Sequence, residues 1–265
     1  MTDNYKDVNR ALWNSRTDVH VESEFYDVEG FLAGNTSLKE IELDLLGDIR
    51  AKKVLHLQCH FGQDTLSLAR MGADVTGADL SDRAVEYARE LAMRTNLQAE
   101  FVCCDIYDLP QNLQGQFDIV FTSYGTIGWL PDLDKWAGVV SHFLKPGGKF
   151  VFVEFHPVVW MFDDALEKVA YSYFNAAPII ENENGTYADK HADIHNKSIS
   201  WNHNLAEVLQ SLINAGITPK DIREYDFSPY DIFPNSTEEE PGRYRVAHMG
   251  DRLPLVYSVV GEKIL

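Results

Sequence analysis

Cysteine is scarce in this chain: 265 residues hold three, Cys59, Cys103 and Cys104. An odd count with two adjacent thiols makes no disulfide framework, and no C-x-x-C pair offers a zinc knuckle. A reducing cytoplasm is therefore the expected compartment. Basic residues are also few, 23 Lys and Arg against 41 Asp and Glu, for a formal charge of −18. Such a field repels phosphate backbones, and no Lys/Arg run makes a local exception, so a nucleic-acid substrate is not expected. Long apolar runs are missing as well. The longest, 150–162, is interrupted by Glu154, His156 and Pro157, so no membrane span is expected. The first ten residues hold no apolar core and predict no secretory leader, which leaves the glycosylation sequons at Asn35, Asn184, Asn196 and Asn235 as chance. Absent too is G-x-G-x-x-G, the loop on which the pyrophosphate of a nicotinamide dinucleotide rests.

What remains is a globular chain, 45% apolar, long enough for one large α/β domain. Its most informative stretch is 53–80. An apolar run with Val54, Leu55 and Leu57 leads into a loop that ends at Gly62. A helical pattern with Leu66, Leu68 and Ala69 follows, and a second apolar run stops at Asp79. Strand, loop, helix and strand in this order put a helix N-terminus and a carboxylate around one small polar ligand. The alternation continues. Strands are expected at 53–58, 73–79, 99–104, 117–123 and 149–155, with helices at 63–71, 82–94 and 132–144. Later a helix at 205–215 and strands at 219–226 and 254–260 are expected. Ser81 or Asp82 should cap the second helix, and Pro146-Gly147-Gly148 should turn the chain into the fifth strand. A parallel sheet covered on both faces follows, with its ligand site at the carboxyl edge of the strands.

The motifs resemble those of the class I S-adenosylmethionine-dependent methyltransferases. VLHLQCHFG stands where that family has its first strand and three-glycine loop. DLS at 79–81 stands at the ribose-binding end of strand 2, and CDIYDLP at 104–110 at the adenine-binding end of strand 3. FDIVFTSYGTIGWL at 117–130 and LKPGGKFVFVEF at 144–155 complete the order. The resemblance implies a Rossmann-like, doubly wound and mostly parallel seven-stranded sheet with an antiparallel C-terminal strand and a cap insertion. It also implies S-adenosylmethionine as the cofactor and methyl transfer to a small-molecule acceptor. The alternative is a non-catalytic protein that binds the same cofactor. Two departures stand out. His56 replaces the usual acidic residue of strand 1, and Gln58 and His60 replace two usual glycines, so either the loop is shifted or these side chains touch the cofactor.

Carried onto this sequence, the resemblance gives Asp79 and Leu80 to the ribose, Asp105 and Ile106 to the adenine, and Gly62 to close cofactor approach. His60 and Gln63 fall near the methionine end, and Ser123 and Tyr124 near the activated methyl. His156, after the fifth strand, is the candidate base, and His56 reads as a hydrogen-bonded core residue. One domain is expected, divided into an N-terminal helical cap segment (1–50), a cofactor-binding core (51–156), a cap insertion (157–203) and a C-terminal helix and strand pair (204–265). Within these, Ser37 is expected to cap a helix through Leu38, Ile41, Leu45 and Leu46, and 238–242 to form an acidic loop. The aromatic insertion should cover the site, with Trp160, Tyr171, Tyr173 or Trp201 facing the sulfonium and His156 opening onto the same cavity. His191 and His195 stand four apart beside Asp189 and Asp193, but in a loop-like stretch without a third ligand group, and no metal is expected. Oligomeric state and the methylated atom are not encoded in any motif.

Overall fold

From Lys53 onward the chain alternates strand and helix, because its apolar runs are flanked on both sides by amphipathic segments. The computed structural model describes residues 5–264. Three helices come first: α1 (Tyr5–Glu22), α2 (Val28–Leu32) and α3 (Glu40–Leu46). The core follows as β1 (Lys53–Leu57), α4 (Gln63–Arg70), β2 (Asp74–Asp79), α5 (Asp82–Thr95), β3 (Glu100–Cys103), α6 (Leu109–Asn112), β4 (Phe117–Ser123), α7 (Leu133–Phe143) and β5 (Leu144–Phe155). Then come a hairpin of β6 (Ile179–Asn184) and β7 (His195–Ser200), then α8 (Leu205–Asn214) and β8 (Ile217–Tyr225). A second hairpin, β9 (Ser236–Glu240) with β10 (Arg243–Val246), precedes β11 (Val256–Lys263).

Seven strands form one sheet in the order β3-β2-β1-β4-β5-β11-β8, parallel except for β11, which runs antiparallel to both its neighbours. The fold class matches the expectation. The strands are apolar at successive positions because both faces are covered. Leu55, Leu57, Val120, Phe150 and Phe152 face Trp136, Val140, Phe143, Val208 and Leu212 of α7 and α8. Val54, Ile119, Phe121, Val151 and Val153 pack on the opposite face against Ile41 and Leu45 of α3 and Leu68 of α4. The strand order reverses between β1 and β4, and a crevice opens beyond their carboxyl ends at that switch point.

Two local expectations need correction. Ser37 does not cap α3, which starts at Glu40 behind Lys39; Ser37 instead bonds Ser67 of α4, Oγ to Oγ at 3.0 Å, and so ties the N-terminal segment to the core. The acidic stretch at 238–240 is not a loop but strand β9. Arg243 and Arg245 of β10 pair with Glu240 at 3.1 Å and Glu239 at 2.8 Å, and this pairing offsets the repulsion along the run. The insertion after β5 contains an ordered hairpin, turned at Gly185, whose φ of 67° puts the backbone where a Cβ would meet Lys190 O at 2.7 Å.

Ser81 caps α5: its Oγ accepts from the Ala84 amide at 3.0 Å and donates to Asn14 Oδ1 at 2.6 Å, so one hydroxyl ends a loop and anchors α1. Ser81→Ala should cost about 1–2 kcal/mol of unfolding free energy in urea titration. Unchanged stability would mean that water replaces both bonds without loss. Among the described residues, no helix is long and apolar enough to cross a membrane.

Candidate active site

The β1 loop keeps a glycine-type shape with only one of the glycines. Gln58, His60 and Gly62 have φ of 55°, 49° and 81°, so the left-handed conformation recurs at every second residue. The loop is therefore not shifted; it carries side chains where glycine would leave space. Non-glycine residues in this region cost about 1–3 kcal/mol each, which fixed partners must offset. Gln58 Nε2 donates to Thr126 O at 2.7 Å, and the His60 amide donates to Asp79 Oδ2 at 2.7 Å. Gly62 is required by packing as much as by φ: a Cβ there would lie 2.8 Å from Phe101 and 2.9 Å from Ala88.

Asp79 ends β2 and bonds two backbone amides, His60 on Oδ2 and Ser81 on Oδ1 at 2.8 Å. Burial lifts its carboxyl to about 6 against the pull of those amides. Asp105, past β3, is buried; its Oδ1 accepts from the Tyr107 amide at 2.9 Å and pairs with Lys6 at 3.0 Å. Glu154, inside the end of β5, accepts from the amides of Thr126 at 2.7 Å and Ile127 at 3.2 Å, and also from Gly125. One carboxylate thus holds the turn after β4 in place. Sequence reasoning missed it because a lone Glu in an apolar strand carries no local signal.

The lid is built from two chain-distant pieces, α1 and the β6–β7 hairpin. Asn9 bonds the backbone of Ile199 through both ends of its amide, at 2.8 and 3.0 Å. His60 Nε2 meets His20 Nδ1 at 2.8 Å, and His20 Nε2 meets Thr186 Oγ1 at 2.6 Å, so a polar chain runs from the core loop through α1 to the hairpin. Burial lowers His20 to about 2 and His60 to about 3, and both rings are neutral at physiological pH. Arg16 is buried, pairs with Glu183, and lies 5.2 Å from the Trp13 ring centre and 5.8 Å from that of Trp129. Its Nε has no partner among the described residues.

These elements enclose a cavity of about 1110 Å³ over the switch point. It brings together Gly62, Gln63, His60, Asp79, Leu80, Asp105, Ile106, Ser123 and Tyr124. Trp160, Tyr171 and Trp201 of the insertion line it too, so the cap lies over the carboxyl edge of the sheet; Tyr173 is not among its walls. Residues 54–148 match the family model described as a methyltransferase domain. Over this core the chain is similar to S-adenosylmethionine-dependent methyltransferases.

The chain is 26% identical over 195 residues to a ubiquinone biosynthesis O-methyltransferase of Bordetella avium, 70% of either chain. It is 36% identical over 134 residues to an uncharacterized methyltransferase of Synechocystis, 49% of this chain and 60% of that one. A solved structure described as a putative S-adenosylmethionine-dependent methyltransferase of Listeria monocytogenes superposes with a TM-score of 0.57 at 20% identity, over 85% of this chain and 97% of that one. That last likeness is one of fold.

His156 does not open onto the cavity. Its Nε2 reaches sideways to Glu224 Oε1 of β8 at 2.8 Å, and its Nδ1 accepts from the Val158 amide at 3.2 Å. It fixes the turn after β5 and has no free atom for an acceptor. Tyr124 does line the cavity; its hydroxyl donates to Glu42 Oε2 at 2.8 Å, and burial lifts Glu42 to about 7. Gln63 Nε2 donates to Tyr26 O at 2.9 Å and so braces the loop between α1 and α2. His56 is buried with Nδ1 on Thr65 Oγ1 at 2.8 Å, as a core histidine should be, but its Nε2 lacks a partner and it reaches the cavity wall. Among the described residues, no group of three or more His, Cys, Asp or Glu could hold a metal ion.

Proposed function

We propose that the chain transfers a methyl group from S-adenosylmethionine to a small acceptor enclosed beneath the cap. The observation that carries this reading is one cavity at the switch point with an acidic group at each nucleoside position and a buried cation beside the β1 loop. The residues suit the cofactor. Asp79 can accept from ribose hydroxyls with the lone pairs its two amides leave free. Asp105 keeps Oδ2 for the adenine amino group, and the Ile106 amide suits a ring nitrogen. Arg16 pairs its Nη2 with Glu183 and keeps Nε–H unpartnered, a charged donor that suits a methionine carboxylate.

Bound S-adenosylmethionine would supply a methyl group already activated by its positive sulfur. The chain's own task is then to align the acceptor and exclude water, and alignment alone is worth about 7–11 kcal/mol. The cap serves the second purpose, and its closure over the strand ends favours an acceptor small enough to be engulfed. The ubiquinone-biosynthesis relatives are O-methyltransferases by name, which supports transfer to a small molecule without fixing the atom.

Calorimetry with S-adenosylmethionine, S-adenosylhomocysteine and NAD tests the reading. Binding of the first two and not of the third is expected, followed by label transfer from methyl-labelled cofactor into a cell metabolite. NAD binding alone would overturn the reading; cofactor binding with no labelled product would leave a binding protein in place of an enzyme.

A further inference from the structure

Asp64 stands in the first turn of α4 with its side chain in the cavity wall. Its hydrogen bonding is weak for a carboxylate in such a place. Ser123 Oγ, at the end of β4, donates to it over 3.4 Å, and Ser37 and Lys39 are its other polar neighbours. Burial pushes its carboxyl up from the ordinary range. Three tyrosines line the same cavity: Tyr26 from the loop after α1, Tyr124 after β4, and Tyr230 after β8; burial raises their hydroxyls, and the Asp64 charge adds to the rise. The rings of Tyr124 and Tyr230 meet edge to face at 5.2 Å, and Lys39 Nζ lies 4.9 Å from the centre of the Tyr230 ring. An ammonium already rests on this wall.

A second and separate observation concerns the floor of the same region. His56 and Phe121 are register partners on β1 and β4, and their rings lie 4.9 Å apart, so His56 sits on the sheet face that carries Ser123 two residues further along β4. It is 2% exposed, its Nε2 has no partner, and it lines the cavity. In the tautomer whose Nδ1–H donates to Thr65, that Nε2 offers a lone pair to a donor from the cavity.

We propose that Asp64, Tyr26, Tyr124 and Tyr230 form the acceptor subsite, and that the acceptor is a small amine bound as its ammonium. The inference rests on the methyltransferase reading and names its substrate class. A carboxylate and aromatic rings in one cavity wall are groups that recognise ammonium ions, and the worth of each contact rises as water is excluded. Lys39 offsets part of the Asp64 charge from one side; an ammonium in the cavity would offset the rest, which a neutral phenol or alcohol would not. Transfer then proceeds in balanced steps. The ammonium gives one proton to Asp64, and its nitrogen lone pair forms the new N–C bond to the methyl group. The S–CH₃ bond breaks with its electron pair left on sulfur, which becomes a neutral thioether, and the product leaves as the methylated ammonium. Because burial raises the Asp64 carboxyl, it is a better proton acceptor than an exposed aspartate.

Benzylammonium and benzyl alcohol, titrated into the protein saturated with S-adenosylhomocysteine, test this without turnover. The ammonium should bind about tenfold more tightly or better, and Asp64→Asn should abolish that preference while S-adenosylhomocysteine affinity stays the same. Tyr230→Leu should narrow the preference without touching Asp64, which keeps the test open if the Asn variant does not fold. Equal binding of the two probes, or no ammonium binding, overturns the proposal. Loss of S-adenosylmethionine but not S-adenosylhomocysteine affinity in Asp64→Asn also overturns it, since these groups would then hold the cofactor's own sulfonium. If neither cofactor form binds the wild-type protein, it is the methyltransferase reading that fails.

Discussion

Replacing Asp79 by alanine is expected to weaken S-adenosylmethionine binding by tenfold to more than a hundredfold. A charge-assisted hydrogen bond to a ribose hydroxyl is worth about 1.5–3 kcal/mol, which sets that range. The same carboxylate holds the His60 and Ser81 amides, so its loss also loosens the β1 loop against which the cofactor would lie. The pH profile carries a second signature. A hydroxyl donates to the ionised carboxylate, and the free protein's Asp79 titrates at about 6. Affinity should be full above that pH and decline below it, with cofactor binding releasing protons near pH 6. Calorimetry at several pH values, with circular dichroism to establish folding, reads both effects. Unchanged affinity in a folded Asp79→Ala protein would reduce the residue to a clamp between two loops.

The other large effect concerns stability. Glu42 has no exposed surface, and burial lifts its carboxyl from 4.5 to about 7, with the neighbouring Asp64 charge adding to the rise. The folded chain therefore holds this proton more tightly than the unfolded one. Its stabilising contribution is fully present below pH 4.5 and is lost as pH rises through 7. The shift corresponds to about 3 kcal/mol. Glu42→Gln keeps an acceptor and the shape but carries no proton to lose. Urea unfolding should find the variant close to wild type at pH 4.5 and more stable by up to about 3 kcal/mol at pH 8. The same difference at both pH values would mean that Glu42 does not titrate in this window.

The core was legible because β1 to β5 are buried on both faces, and burial on both faces writes itself as unbroken apolar runs bounded by turn residues. Asp79 and Asp105 were legible for the same reason: they close such runs. The cap was harder to read. The buried stripe of α1 is Tyr5, Asn9, Leu12, Arg16, Thr17 and His20, spaced as a helix requires but with four of the six polar, so hydropathy does not mark the face. Arg16 finds Glu183 and His20 finds Thr186 across more than a hundred and sixty residues of chain. No local pattern announces partners at that separation. His156 was misread in direction. Its place at a strand end was correct, but the side chain is claimed by Glu224 on the edge strand β8, which enters the sheet only after the whole insertion has been laid down.

Gln58 and His60 in left-handed backbone have a consequence outside the folded molecule. In the denatured chain a glycine samples both signs of φ freely, and folding must discard that freedom. Side chains at these two positions narrow the denatured ensemble in advance, so this loop gives up less disorder when it forms than one with glycine at both. It is also less able to flex once formed, since Gln58 and His60 are each held by a partner outside the loop. Gln58→Gly or His60→Gly would leave the fold's dihedrals undisturbed and yet give the loop back its mobility. The cost of setting the cofactor's seat would then fall at the moment of binding instead of during folding.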